Sequence, residues 1–290
     1  MLFNIFINDL AYAIKECKLL NYADDTNIYY SHESPVVVEK ALNRDLENTA
    51  TWFKENGMKA NPDKYQAMVL GNYKQELSIE CGDQHIPISD KTKLLGVTLD
   101  NKLKFDTHIS DICRKVSGQI NALNRLKNIL PLKTKESLYR AFILPYFYYS
   151  CQVWHHCGKR NTAKLEKVNK RALRYVYKDK QSSYENLLVR MGIVSLENRR
   201  IQDMMITIDK CLHNRAPQTV KDLISLRQSN YNLRGDHILN LPKVNSTKNG
   251  LKSWRYYAAK IWNQLPNEIR AIAGSKEFKG KIRIQNFTKS

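Results

Sequence analysis

Leu19-Leu20-Asn21-Tyr22-Ala23-Asp24-Asp25-Thr26-Asn27-Ile28-Tyr29-Tyr30 is the stretch on which the reading of the fold turns. Its first arm is apolar and ends at Tyr22. Its second alternates through Thr26, Ile28 and Tyr30, the period-two pattern of a strand. Between the arms, Ala23-Asp24-Asp25 predicts a tight turn. Neighbouring side chains on a straight strand point to opposite faces, but at a turn two carboxylates can converge on one cation. Carboxylate oxygens suit magnesium. Two-metal phosphoryl transfer needs such carboxylates to hold ions about 3.5–4 Å apart. A bare Asp-Asp is more often a surface turn, because Asp bonds nearby backbone, so the surroundings decide.

Upstream, Phe3, Ile7, Leu10, Ala11 and Ile14 recur at helical spacing. Downstream, Val38, Ala41, Leu42, Leu46, Ala50 and Phe53 form one stripe of a long amphipathic helix, with Gly57 as its stop. Asn61-Pro62 marks a loop. Strands are expected at 65–70, 77–81 and 94–99, with a turn at Gly82-Asp83. From His108 the pattern becomes helical: Ile109, Ile112, Val116, Ile120 and Leu123 share a face, Arg114, Lys115, Arg125 and Lys127 lie on others, and Pro131 ends the helix. Further helices are expected over 134–150, 162–178, 196–213 and 250–264, and a polar loop over 228–248. The fold class is therefore α+β: a mixed unit with an antiparallel sheet, then a mostly helical unit and a helical tail. The boundaries are placed at 1–105, 106–225 and 226–290.

Charge divides the chain in the same way. The net charge is +19 over 290 residues, yet residues 1–100 hold 10 Lys/Arg against 15 Asp/Glu. The remaining 37 Lys/Arg and 13 Asp/Glu all fall after residue 100. A basic half of that size points to a polyanion, nucleic acid first. Hydrophobic residues at 42% speak against wholesale disorder. Six cysteines without a regular framework read as reduced, intracellular thiols. The opening residues lack the basic leader of a secretory signal. The apolar run 141–154 is too short for a membrane span and is broken by Pro145.

The surroundings of the acidic pair carry a family resemblance. Tyr22-Ala23-Asp24-Asp25-Thr26 resembles the Tyr-x-Asp-Asp box of reverse transcriptases, in the version of the non-LTR (LINE-type) retrotransposons. Leu2 to Leu10 resembles the end of the motif before that box. Trp52-Phe53, Asn56-Gly57-Met58-Lys59, Asn61-Pro62, Lys64 and Met68 resemble the motif after it. Leu94 to Asp100, with Leu103, Phe105, His108 and Ile109, resembles the primer-grip region. Residues 139–154 and 251–270 resemble the thumb and tail. Four motifs in the right order make this a specific signal, and it runs the length of the chain.

The resemblance implies a partial polymerase palm followed by a helical thumb and tail. It implies an RNA-directed DNA polymerase working on an RNA template and a DNA primer with Mg2+. Asp24 and Asp25 would hold the metal, and Tyr22 would lie near the primer end and the nucleotide. Lys64 would protonate the leaving pyrophosphate, though a surface lysine is an equally good reading of that residue. Leu95, Gly96 and Val97 would face the primer, or simply form a buried strand. The family's third carboxylate, its Pro-Gln-Gly element and its fingers would precede Met1. The expectation is then poor polymerisation by this chain alone and a partner that completes the palm. Nuclear action follows from the family's way of life.

In the basic half, Lys164, Lys167, Arg171, Arg174 and Lys178 are spaced by three and four, opposite a stripe of Leu165, Val168, Ala172 and Tyr175. Together with Arg114 and Lys115 they are candidates for phosphate-backbone contacts. Cys151 and Cys157 with His155 and His156 fit no standard zinc spacing and read as a packed helix end. Trp254, Tyr257, Ile261 and Trp262 read as core. Two alternatives to the enzyme stay open: a non-catalytic nucleic-acid-binding protein, or a relic of a mobile element.

Overall fold

The computed structural model describes residues 2–59, 61–71, 77–82, 84–126, 128–227, 237–246, 250–272 and 274–288. Lys127, Asp83 and most of the expected 228–248 loop lie outside them. The chain forms two compact units, Met1–Leu103 and Lys104–Ser290.

The first unit opens with α1 (Leu2–Phe6) and α2 (Leu10–Ala13), joined by a 3-10 turn at Ile7–Asp9. Three antiparallel hairpins follow: β1 (Lys18–Tyr22) with β2 (Asp25–Tyr29), β3 (Ile79–Cys81) with β4 (Gln84–Ile86), and β5 (Lys91–Leu94) with β6 (Val97–Asp100). Among the described residues they stay separate two-stranded sheets. The element that gathers them is α3 (Pro35–Glu55), a 21-residue helix. Gly57 (φ 65°) ends it in a Schellman motif, with Met58 N–H donating to Phe53 O and Gly57 N–H to Lys54 O.

Three stripes of α3, each with a repeat of four, do different work. Val38, Leu42, Leu46 and Ala50 pack on Leu77, Ile79, Cys81 and Ile86. Glu39, Asn43 and Glu47 bind the edge of β3: Ser78 N–H donates to Glu39, Glu80 N–H to Asn43, Gly82 N–H to Glu47, and Asn43 donates back to Ser78 O. Four helical residues rise about 6 Å and two strand residues about 6.6 Å, so the two repeats match. Helix side chains thus occupy an edge that a strand would otherwise fill. The third stripe, Ala41, Asp45 and Thr49, is buried.

The structure departs from the sequence reading in three places here. Residues 65–70 form no strand; Ala67 makes one parallel bridge to Ile88, while Tyr65, Ala67 and Val69 alternate into the apolar cluster under α3. That alternation reports burial, not a ladder. The single strand expected over 94–99 is instead the end of a hairpin. Leu95 (φ 44°) and Gly96 (φ 81°) form its two-residue turn, both in the left-handed region that a type I′ turn requires. The turn of the first hairpin is one residue shorter than expected, because Asp25 already belongs to β2.

The second unit is helical: α4 (Asp106–Asn124), α5 (Leu132–Phe142), α6 (Leu144–Tyr148), α7 (Lys159–Tyr177), α8 (Tyr184–Met191), α9 (Leu196–Leu212), α10 (Gln218–Lys221), α11 (Trp254–Asn263), α12 (Asn267–Arg270) and α13 (Ser275–Ile284). The helix expected over 134–150 is broken between α5 and α6. Pro145 has no N–H for a continuing helix but is harmless in a first turn. α4 stops well before Pro131, and the hydroxyl of Tyr175 caps its end by donating to Leu123 O. α9 forms the centre: Met204, Met205 and Ile208 pack with Trp262 of α11 and Phe278 and Ile282 of α13. Trp254, Tyr257 and Ile261 are half-buried against this cluster, as core residues. No described helix is long and apolar enough to cross a membrane.

Candidate nucleic-acid and ion site

β1 and β2 pair from Lys18↔Tyr29 to Tyr22↔Asp25, which leaves Ala23 and Asp24 as the loop. Ala23 adopts a positive φ of 53°. For a residue other than glycine, that conformation costs on the order of 1–3 kcal/mol and needs support from its surroundings. Leu95 at the tip of the β5–β6 hairpin is in the same position, so both hairpins with candidate residues carry strain at their tips. Directly opposed residues project from one face. Tyr22 and Asp25 therefore share a face with Leu20 and Asn27, and it is open: Tyr22 is 66% exposed. Asp24 and Asp25 are exposed too. Leu19, Thr26 and Ile28, on the other face, are half-buried.

Asp25, Lys64 and Leu95 line one cleft of about 630 Å³, over a floor that includes Leu42, Leu46 and Phe53. Lys64 ends a 3-10 turn set by Asn61, whose side chain accepts Asp63 N–H and whose carbonyl accepts Lys64 N–H, both at 3.1 Å. Gln66 accepts a 2.7 Å hydrogen bond from Thr92. This bond ties the Lys64 segment to the strand that leads to Leu95. The cleft thus joins residues from three motifs far apart in sequence. Tyr22, Asp24 and Gly96 are not among its lining residues. Val97 is only 5% exposed, so its side chain belongs to the packing.

The paired carboxylates have the donor chemistry of a divalent-ion site. Yet no group of three His, Cys, Asp or Glu converges among the described residues. These residues offer two carboxylates of an ion site, not a full set of ligands.

In the second unit, Lys164, Lys167 and Arg171 are exposed on α7, and none forms a salt bridge among the described residues. Arg174 is half-buried, and Lys178 (φ 52°) donates to Asn128 just past the helix end. α7 packs on α4. There Lys115 is exposed, while Arg114 is held by Asp111 at 2.8 Å. The cationic ridge is therefore strongest at Lys164, Lys167 and Arg171.

Sequence reasoning missed the fully buried Arg200 of α9, which is 1% exposed. Its guanidinium lies 5.3 Å from the Trp154 ring centre and donates to His155 Nδ1 at 3.4 Å. Burial first, then Arg200, pushes His155 down to about 2; burial, then Lys252 and Arg200, pushes His156 down to about 4. Burial pushes Cys151 up to about 11. Both imidazoles lie 5.2 Å from the Tyr257 ring, His155 tilted and His156 edge-on, and with the buried Cys151 and Cys157 they belong to a packed corner. An arginine among the polar residues Glu197, Asn198, Arg199, Gln202 and Asp203 reads as solvated surface, and its histidine partner is 45 residues away.

Residues 1–99 match the reverse transcriptase (RNA-dependent DNA polymerase) family. The chain is 26% identical over 191 residues to "Probable RNA-directed DNA polymerase from transposon BS" of Drosophila melanogaster, covering 61% of this chain and 21% of that protein. It is 24% identical over 162 residues to the RNA-directed DNA polymerase from mobile element jockey of the same fly, covering 54% and 18%. With the jockey polymerase of Drosophila funebris it shares 23% over 165 residues, covering 56% and 18%. The chain thus spans about a fifth of the length of the curated relatives it matches. No solved structure matches. The resemblance to non-LTR retrotransposon reverse transcriptases holds: an α+β chain begins with a reverse-transcriptase-like segment and continues as helices. That family generally uses a divalent metal and acts on nucleic acid.

Proposed function

We propose that this chain is the palm end and thumb of an RNA-directed DNA polymerase from a non-LTR retrotransposon, built to extend a DNA primer on an RNA template. The observation that carries the reading is the cleft shared by Asp25, Lys64 and Leu95. An ordinary surface turn at Asp24-Asp25 would not need a lysine and a hairpin tip from two other motifs beside it. In this reading Asp24 and Asp25 contribute to a Mg2+ site completed by a carboxylate from elsewhere. Tyr22, on the same face as Asp25, lies by the primer end and the incoming nucleotide. Lys64 stands ready as a proton donor across the cleft, and the Leu95-Gly96 tip bears on the primer. The α7 ridge, with Lys115 and Arg114 beside it on α4, meets backbone phosphates without reading sequence.

The open ridge supports a second reading, binding without catalysis. Primer extension on an RNA template, comparing the native chain with Asp24→Asn, separates the two. Extension lost in the variant supports the polymerase. No extension from either, with nucleic-acid binding equal in both, supports the binding protein.

A further inference from the structure

We infer that Asp45 of α3 is the residue that positions the Tyr22–Asp25 hairpin. Asp45 is completely buried. Its Oδ1 accepts the backbone N–H of Lys15 at 3.0 Å, and its Oδ2 accepts those of Glu16 at 2.9 Å and Cys17 at 2.7 Å. The next residue, Lys18, is the first of β1. One carboxylate therefore grips the root of the hairpin by three consecutive amides. Cys17 adds a thiol hydrogen bond to Ala41 O, and Glu16 an ion pair with Arg44, both on α3.

The hairpin has little else to hold it. Neither β1 nor β2 contains a buried residue. Among the described residues its sheet has two strands, an arrangement that is marginal in water without a packed face. A hairpin whose inner face, Leu19, Thr26 and Ile28, is only half-buried takes much of its direction from its anchor. Hydrogen bonds to a carboxylate are about twice as strong as neutral ones. Burial pushes the Asp45 carboxyl up, but the three amides outweigh it and hold it below the usual range. An Asn here is not conservative, because its NH2 would point at amides that are themselves donors.

The claim that Asp45 sets the hairpin stands on geometry. Its consequence for ion binding rests on the reading of Asp24 and Asp25 given above. Hydrogen–deuterium exchange on the full chain tests the first part, with Asp45→Asn, Asp45→Ala and, as a contrast, Asn43→Ala, which removes side-chain bonds to β3 instead. Both Asp45 variants are expected to raise exchange over residues 15–29 at least tenfold and to leave 77–82 and 104–226 unchanged. Asn43→Ala is expected to do the reverse, raising 77–82 and sparing 15–29. Unchanged exchange over 15–29 overturns the inference, as does a hairpin already unprotected in the native chain. An equal rise through all of residues 2–103 overturns it too, by making Asp45 a general stabiliser. Mn2+ titration is the second arm: Asp45→Asn should weaken binding at least threefold. If Mn2+ binds equally to the native chain and to a variant with both Asp24→Asn and Asp25→Asn, the ion-site reading fails, while the exchange data still decide the role of Asp45.

Discussion

α3 and α9 each organise their own unit, with a different balance between apolar burial and hydrogen bonding. α9 buries ten of its seventeen residues, with Met204, Met205 and Ile208 set against Trp262 and Phe278. α3, longer by four residues, buries only Ala41, Asp45 and Thr49. Beyond the half-buried stripe that packs on Leu77, Ile79, Cys81 and Ile86, it holds its neighbours by side-chain hydrogen bonds to their backbones. Apolar burial is non-directional and adds with area; a hydrogen bond fixes a direction but contributes only about 1 kcal/mol net. The second unit is therefore expected to unfold as a body. The first should open piecemeal, hairpin by hairpin. Under the proposed function, the looser construction would suit a site that admits a duplex, a nucleotide and metal ions.

The most severe way to break this contrast is Trp262→Ala. Trp262 is fully buried, lies 5.5 Å from the Phe278 ring and donates to His237 O at 2.8 Å. Its truncation should cost about 3–5 kcal/mol. Thermal unfolding followed by hydrogen exchange should show the loss throughout 104–288, with 2–103 unchanged. A loss confined to α11 would mean that the second unit is also modular.

Acidification should separate the units next. His155 and His156 are held neutral, at about 2 and about 4 against an ordinary 6.5. Above pH 6.5 both are neutral folded and unfolded, and they contribute nothing to pH dependence. Below it the unfolded chain takes up protons that the folded chain refuses. Stability therefore falls with pH, by about 1.4 kcal/mol per unit for each histidine. The loss begins near 6.5 and runs to about 4 for His156 and about 2 for His155. Denaturant midpoints measured from pH 7.5 to 5 should drop for the second unit, and His156→Gln should flatten the slope. A flat profile in the native chain would place these imidazoles in water.

Asn43→Ala probes the other side of the comparison. It removes two hydrogen bonds to β3 and should cost about 1–2 kcal/mol. Exchange should rise in 77–82 alone. A cooperative loss of the whole first unit would show that α3 binds its hairpins into one body after all.

What the sequence made legible follows the same division. Apolar periodicity located α3, α4, α7, α9 and α11, because a helix that packs by area announces its face every three or four residues. The Tyr22–Asp25 hairpin was legible from its alternation and its turn. Gly96 should have revealed the turn inside 94–99. α8 is too short for apolar periodicity to mark it, and only its ends signal it: Ser183 accepts Asn186 N–H at its start, and Gly192 closes it. α13 carries a Gly280 in its interior, which blurs its pattern. Asp45 was invisible, because an Asp on a helix reads as solvated surface until its three amide partners are seen. The cleft was out of reach too, since Asp25, Lys64 and Leu95 meet only through the fold.

The mildest test leaves stability alone and asks whether the ridge of the second unit carries the binding. Replacing Lys164, Lys167 and Arg171 together with Ala removes three exposed cations and no buried contact. Each change should alter stability by less than about 0.5 kcal/mol. Every phosphate neutralised contributes about 0.9 to the slope of log affinity against log salt on duplex DNA and about 0.7 on single strands. If all three residues touch phosphates, the slope should fall by about 2 to 3. Affinity should drop alike for unrelated sequences, because a backbone contact carries no base readout. Fluorescence anisotropy across a salt series reads both quantities. An unchanged slope would free the ridge from any binding role and move the contact to the other basic helices. A sequence-dependent loss would mean that α7 reaches base edges. Asp24→Asn should leave the slope where it is, since the hairpin site and the ridge draw on different charges.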